Sequence, residues 1–189
     1  MRIAVSGAHG TGKSTLIDEF LRVHPEFIHE PEPYTVLVEE LGEEFSAEPC
    51  VEDFLRQLEF NIDRLKQHER GERVIYERCP IDFLAYQESM SSTHPLPRGG
   101  TDPIPIDAVM AEVLESIGNL DLIVYLPIDD TIDVDLDEFP KLRKRVDRRL
   151  NQIYCEDDLG IISTTNLVVV EATGPIEKRL RTVEAAMKA

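Results

Sequence analysis

Basic residues are scarce in this chain, in which 20 lysines and arginines stand against 37 aspartates and glutamates for a formal net charge of −17. So acidic a surface repels polyanions, which excludes nucleic acid as the main partner. Cysteine is sparse too: Cys50, Cys79 and Cys155 lie far apart and form no metal-type pair. Reduced thiols, no disulfide, no zinc and a cytoplasmic setting are therefore predicted. No stretch approaches the roughly 20 apolar residues of a membrane span, and no apolar leader precedes the first strand, so no membrane partner is expected. Internal repeats are absent. With 42% hydrophobic residues, the expectation is a single domain over residues 1–189 with one sizeable core.

What is present begins at once. Gly7-Ala8-His9-Gly10-Thr11-Gly12-Lys13-Ser14 fits G-x-x-x-x-G-K-[ST] and follows the apolar run Ile3-Ala4-Val5. Gly7, Gly10 and Gly12 permit backbone dihedrals that turn successive N–H groups toward one anion. Lys13 adds an ammonium for the β- and γ-phosphates, Ser14 a hydroxyl for Mg²⁺, and the helix through Thr15 points its positive end at the same place. That helix shows in Leu16, Ile17, Phe20 and Leu21, one apolar face closed by Pro25. His9 reads as a spacer within the nucleotide loop, with no catalytic role.

Beyond the loop, strand-like and helical patterns alternate. Phe27-Ile28-His29 is extended and is closed by Glu30-Pro31-Glu32-Pro33, where proline disfavours helix in the preceding residues. Val51 to Gly71 has helical period, Arg73 to Glu77 is strand-like, and a helix starts at Pro80. Residues 91–105, with four prolines and two glycines, read as a long loop. Helices at 106–117, 139–154 and 176–187 interleave with strands at 120–126 and 167–170. Such alternation predicts an α/β fold: a parallel sheet with helices on both faces and ligands outside the carboxyl ends of the strands. Glu32, Glu77 and the Gly7 loop all sit at that end.

Phosphoryl transfer needs a carboxylate near the metal, cations for the moving group and a base for the acceptor. Glu77 closes an apolar strand and Arg78 follows; a metal-side acid with a phosphate cation and a plain surface ion pair both fit. Lys141, Arg143, Lys144, Arg145, Arg148 and Arg149 put six of the 20 bases within nine positions. Leu142, Val146, Leu150 and Ile153 form the buried stripe of that helix, so Lys141, Arg145, Arg148 and Arg149 project outward. One or two of them, Arg145 foremost, are expected on phosphate; the alternative is a solvated face paired with Asp137, Glu138 and Asp147. Tyr34 and Gln57, with Arg56 and Phe60, are candidates for an acceptor pocket or for ordinary surface and core.

The loop, Pro31-Glu32-Pro33-Tyr34, Glu77-Arg78-Cys79-Pro80-Ile81-Asp82 and the basic helix together resemble small P-loop kinases. In particular they resemble the deoxynucleoside kinase group and the AAA-like family that contains the ribosylnicotinamide kinase domain. The resemblance covers nearly the whole chain and implies a three-layer P-loop NTPase whose five-stranded parallel sheet has the order 2-3-1-4-5. It implies a general base at Glu32 (or the neighbouring Glu30), a metal-side acid at Glu77 and a phosphate-binding arginine at Arg78, with Cys79 where that group carries serine. Gln57 would read the acceptor's base, and Glu171 to Pro175, with Gly174, would flank the adenine. The chain departs from the pattern in its lid, roughly residues 127–150. Pro127 to Phe139 is acidic and has no base, so the nearest lid cations are Lys141 and Arg143. That acidity would favour a cationic acceptor such as a nicotinamide ribonucleoside.

The sequence thus predicts an ATP- and Mg²⁺-dependent kinase of a nucleoside, nucleotide or related small hydroxyl metabolite. The alternative is a regulatory ATPase acting on a protein partner. A signalling GTPase is remote, since no Asn-Lys-x-Asp segment is present. The acceptor is not identified, and a homodimer is left open.

Overall fold

In the computed structural model, residues 1–46, 48–69, 71–91, 106–129, 139–165 and 167–188 are described. Five parallel strands form one sheet: β1 (Arg2–Ser6), β2 (Ile28–Glu30), β3 (Val74–Glu77), β4 (Leu122–Tyr125) and β5 (Val168–Glu171), in the order β2-β3-β1-β4-β5. This is the order that the resemblance implied. The three central strands are buried along their whole length and are apolar apart from Arg2, Ser6 and Glu77 at their ends, as suits strands covered on both faces.

Alternate residues of the three central strands feed two cores. Ala4, Val74, Tyr76, Ile123 and Tyr125 face α3 (Val51–Gln67), α4 (Pro80–Ser91), α5 (Ile106–Ile117) and α6 (Pro140–Asn151). Ile3, Val5, Ile75, Leu122 and Val124 face α1 (Lys13–Val23) and α8 (Ile176–Ala186). The predicted stripe Leu142, Val146, Leu150 and Ile153 is buried. No helix among the described residues is long and apolar enough to cross a membrane.

Two short elements differ from the sequence expectation. The sequence pattern assigns no helix between Glu32 and Val51, and proline disfavours helix in the residue before it. Glu32 is indeed extended, but Pro33, with its fixed φ, opens α2 (Pro33–Thr35), which continues as a π-helical turn over Val36–Glu40. Helix α6 likewise passes into a π-helical turn over Gln152–Glu156. Asp157 ends it at positive φ and accepts from Ile162 and Ser163 N–H at the start of α7 (Ile161–Thr165). Most of the predicted loop at 91–105 and most of the acidic lid segment, residues 130–138, lie outside the described residues.

The turn leaving β1 tolerates no side chain. Gly7 has φ +153°, and a Cβ there would stand 2.5 Å from the Leu126 carbonyl oxygen and 2.8 Å from Thr11 Oγ1. Gly7→Ala is therefore expected to destabilise the protein by about 2–3 kcal/mol, read from the urea midpoint. An unchanged midpoint would refute this packing argument.

Candidate active site

The Gly7 to Ser14 loop joins β1 to α1, and Gly7, Gly10 and Gly12 all have positive φ, the last as the left-handed N-cap of α1. Five consecutive carbonyls of this loop accept from cationic side chains carried by four separate elements. Arg78 donates to Gly7 O at 3.0 Å and Lys13 Nζ to Ala8 O at 2.9 Å. Arg143 Nε donates to His9 O at 2.9 Å and its Nη2 to Gly10 O at 3.4 Å, while Arg179 donates to Thr11 O at 2.8 Å. A planar trans peptide points its N–H opposite to its C=O, so pinning these carbonyls sets the direction of the amides that follow. One amide is already used, His9 N donating to Tyr86 Oη at 3.0 Å.

Ser14 and Thr15 stand exposed on the first turn of α1. Ser14 Oγ donates to Glu77 Oε1 at 2.7 Å, which sets two hard oxygen ligands side by side at the rim of the loop. That donor chemistry fits Mg²⁺, which takes one or two protein oxygens and completes its shell with phosphate and water. Among the described residues no cluster of three or more acidic, histidine or cysteine side chains forms a self-sufficient metal cage.

Arg78 leaves β3 in a left-handed conformation, φ +71°, that a non-glycine residue adopts only when its surroundings hold it. Its guanidinium pairs with Glu32, bonds Gly7 O and lies 3.5 Å from Asp82. Tyr86 packs against it, ring centroid 5.3 Å away. Asp82 is fully buried and accepts from Gly7 N and Cys79 N, each at 3.0 Å. Glu77 and Arg78 therefore do not pair with each other; one faces Ser14, the other Glu32. Burial alone would raise the Glu32 carboxyl, but the charges of Arg78 and Lys13 hold it below the usual carboxylate range. Burial would lower Arg78, and Glu32 and the neighbouring acids outweigh it, so the guanidinium stays charged.

Glu30 goes elsewhere. It pairs with Arg64 at 3.2 Å and His68 at 2.7 Å, while Arg64 also donates to Pro31 O at 2.6 Å and so anchors the backbone just before Glu32. Glu32 instead borders a cavity of about 410 Å³ together with His9 and Arg78. Phe54 and Tyr86 stack on its wall with centroids 4.7 Å apart, and Tyr34 and Gln57 line it. Gln57 Nε2 donates to Asp53 O at 3.1 Å, which leaves its carbonyl end as the acceptor. Of the other pocket candidates, Arg56 pairs with Glu43 on the surface and Phe60 lies under Arg64.

On the basic helix the structure brings Arg143, rather than the expected Arg145, to the loop. Arg145 is half-buried and its Nε has no hydrogen-bond partner. Arg149 is held by Glu88 and Asp158, and Asp147 is spent on Ile128 N and the Tyr125 hydroxyl. Arg143 lies beside the buried Leu142, and that adjacency was the one sequence signal for an inward cation. Asp82, Tyr86 and Arg179 were not singled out from the sequence. Gly174, at φ +83°, donates its N–H to Asp129 Oδ2 at 2.6 Å and is held through its carbonyl by Arg179.

The profile of the family described as AAA domain matches residues 2–179. No curated protein matches the chain. Among solved structures, deoxyadenosine kinase from M. mycoides with bound dATP aligns over 100% of both chains at 15% identity and TM-score 0.62. Thymidylate kinase from Candida albicans aligns over 99% of this chain and 90% of its own at 14% identity and TM-score 0.65. The NadR protein in complex with NAD and AMP-PNP aligns over 99% of this chain but 48% of its own length, at 17% identity and TM-score 0.64. The likeness establishes a P-loop, nucleoside kinase-like fold.

Lys13 gives the site a measurable signature. Burial, reinforced by the Arg78 charge, brings its ammonium down to about 8 from the ordinary 10.5. The unfolded chain thus binds a proton more tightly than the folded one, so the charge opposes folding fully below pH 8, and this penalty fades as pH rises to 10.5. Lys13→Met should stabilise the nucleotide-free protein at pH 7 by about 2 kcal/mol, the charge penalty less the lost bond to Ala8 O. Urea unfolding across that pH range should show the gain shrinking; a gain that is absent at pH 7 or constant with pH contradicts it.

Proposed function

The chain belongs to this AAA domain family, and from that premise we propose that it is an ATP- and Mg²⁺-dependent kinase that phosphorylates a hydroxyl of a nucleoside-like small molecule. The observation that carries the reading is one guanidinium shared between two halves of a site. Arg78 bonds the phosphate loop at Gly7 O and pairs with Glu32 at the edge of an aromatic cavity. A protein that only held a nucleotide would have no use for a carboxylate and a cavity of ligand size there.

Phosphoryl transfer is mostly positioning and charge stabilisation. Lys13 and the loop amides bind the β- and γ-phosphates, and Ser14 and Glu77 would hold Mg²⁺, which would supply charge neutralisation to the phosphate oxygens. The acceptor's planar ring packs against the aromatic wall of the cavity, where Phe54 and Tyr86 already stack on each other, with Gln57 and Tyr34 lining the same space. Glu32, ionised at neutral pH, accepts a hydrogen bond from the acceptor hydroxyl. As the oxygen-to-γ-phosphorus bond forms and the bond from γ-phosphorus to the bridging oxygen breaks, the hydroxyl proton passes to Glu32. Such a weak base suits a loose transition state, in which the proton leaves late. Arg78, and Arg143 from the lid helix, face the charge that develops on the moving group.

The test is transfer of label from γ-labelled ATP to a panel of nucleosides that includes a cationic nicotinamide ribonucleoside. Label should enter a small acceptor. Lys13→Ala should lose both ATP binding and turnover, whereas Glu32→Gln should keep ATP affinity within about twofold and lower kcat by about 10²–10⁴-fold. Hydrolysis of ATP with no labelled acceptor would overturn the kinase reading in favour of a regulatory ATPase.

A further inference from the structure

Arg179 has no place in the mechanism above, yet it is among the most deeply buried charges of the chain, at 3% exposure. It lies on α8, on the α1 side of the sheet, away from the acceptor cavity. Removing a guanidinium from water is expensive unless its N–H groups are met, and apolar packing would serve a helix-to-sheet contact better. Its partners are not those of a structural strut. Nε donates to Gly174 O at 2.7 Å, Nη1 to Thr11 O at 2.8 Å, and Nη2 reaches Asp129 Oδ2 at 3.3 Å. The same Asp129 oxygen accepts from Gly174 N at 2.6 Å, so the Gly174 peptides are gripped on both sides.

One planar fork thereby joins three segments far apart in sequence: the crest of the phosphate loop, the segment after β4 and the loop after β5. We infer that Arg179 is a positioning residue that locks the base-flanking loop at Gly174 to the phosphate loop at Thr11, so that adenine and triphosphate are recognised as one unit. The inference rests on the kinase reading and on the family resemblance, which implies that the loop with Gly174 flanks the adenine. Rigid geometry explains the choice of residue. A guanidinium fixes the relative direction of its donors, whereas lysine offers one freely rotating point charge.

The probes are ATP, GTP and inorganic tripolyphosphate, the last of which can engage only the phosphate loop. Equilibrium binding is measured on the wild type, Arg179→Lys and Asp129→Asn, with circular dichroism confirming the fold. In Arg179→Lys, ATP affinity should fall about tenfold and the preference for ATP over GTP should shrink. Tripolyphosphate affinity should fall by no more than about threefold, because lysine still offers a charge and one donor to Thr11 O, and the acceptor KM should stay within about twofold. Asp129→Asn should shift in the same pattern, and it carries the test alone if Arg179→Lys does not fold. Equal losses for ATP and tripolyphosphate would show that Arg179 merely supports the phosphate loop, and no change would show that it does nothing; either overturns the inference. A wild type that binds neither ATP nor tripolyphosphate removes the kinase reading itself, and this inference with it.

Discussion

The arrangement of this protein depends on a buried ion network centred on Arg78. Isolating a guanidinium from water costs several kcal/mol, and it persists only where anions and carbonyls replace the lost hydration. Glu32, Asp82 and Gly7 O do so here, from β2's exit, α4's first turn and the phosphate loop respectively. Each partner is constrained in return. Asp82, fixed by the arginine, holds Gly7 N and Cys79 N, so the first residue of the phosphate loop is gripped at both its amide and its carbonyl. The left-handed backbone at Arg78 is the local strain that aims the guanidinium between these groups. The same network places Glu32 at the cavity, with Arg64 steadying the preceding peptide. Donor-side and acceptor-side geometry are consequences of one cation.

A chain with a net charge of −17 has few bases to spare, and their distribution is informative. Four cations, from α1, the end of β3, α6 and α8, converge on the carbonyls from Gly7 to Thr11. Two things follow. The loop's carbonyl dipoles are turned toward positive charge, which orients the following peptides. The cations also offset the carboxylates of Glu32, Glu77, Asp82 and Asp129 beside the loop, so a polyphosphate would meet less repulsion there than on the rest of the acidic surface.

How much of this was legible in the sequence depended on whether the information was contiguous. The phosphate loop was legible because its eight residues, its strand and its helix adjoin. Alternating apolar patterns were enough for a parallel α/β fold, while the strand order came from family resemblance. Arg143 and Arg145 differ by two positions on one amphipathic helix, and only the helix's rotation against the loop decides between them. Glu30 and Glu32 flank a proline; pairing of β2 with β3 and the contacts of α3 send the first to His68 and Arg64 and the second to Arg78. Asp82 meets Gly7 across 75 positions and Arg179 meets Thr11 across 168, distances at which no local pattern speaks. The short helix at Pro33 gave no sequence pattern of its own, since proline disfavours helix before itself and starts helix at itself.

The proximity of Lys13, Arg78, Glu32 and Asp82 also fixes how the site responds to an anion. Without nucleotide, Lys13 is held low by burial and by Arg78, and Glu32 is held low by Arg78 and Lys13 despite its own burial. A polyphosphate on the loop brings negative charge beside the same cations. Coulombic interaction then acts with one sign on both groups, raising the proton affinity of Lys13 and of Glu32 together. Lys13 becomes more firmly charged where charge is needed, and the carboxylate becomes the stronger base only while a phosphoryl donor is present. In the proposed reaction, basicity at the acceptor is thus conditional on occupancy at the donor, through the charges that the two share.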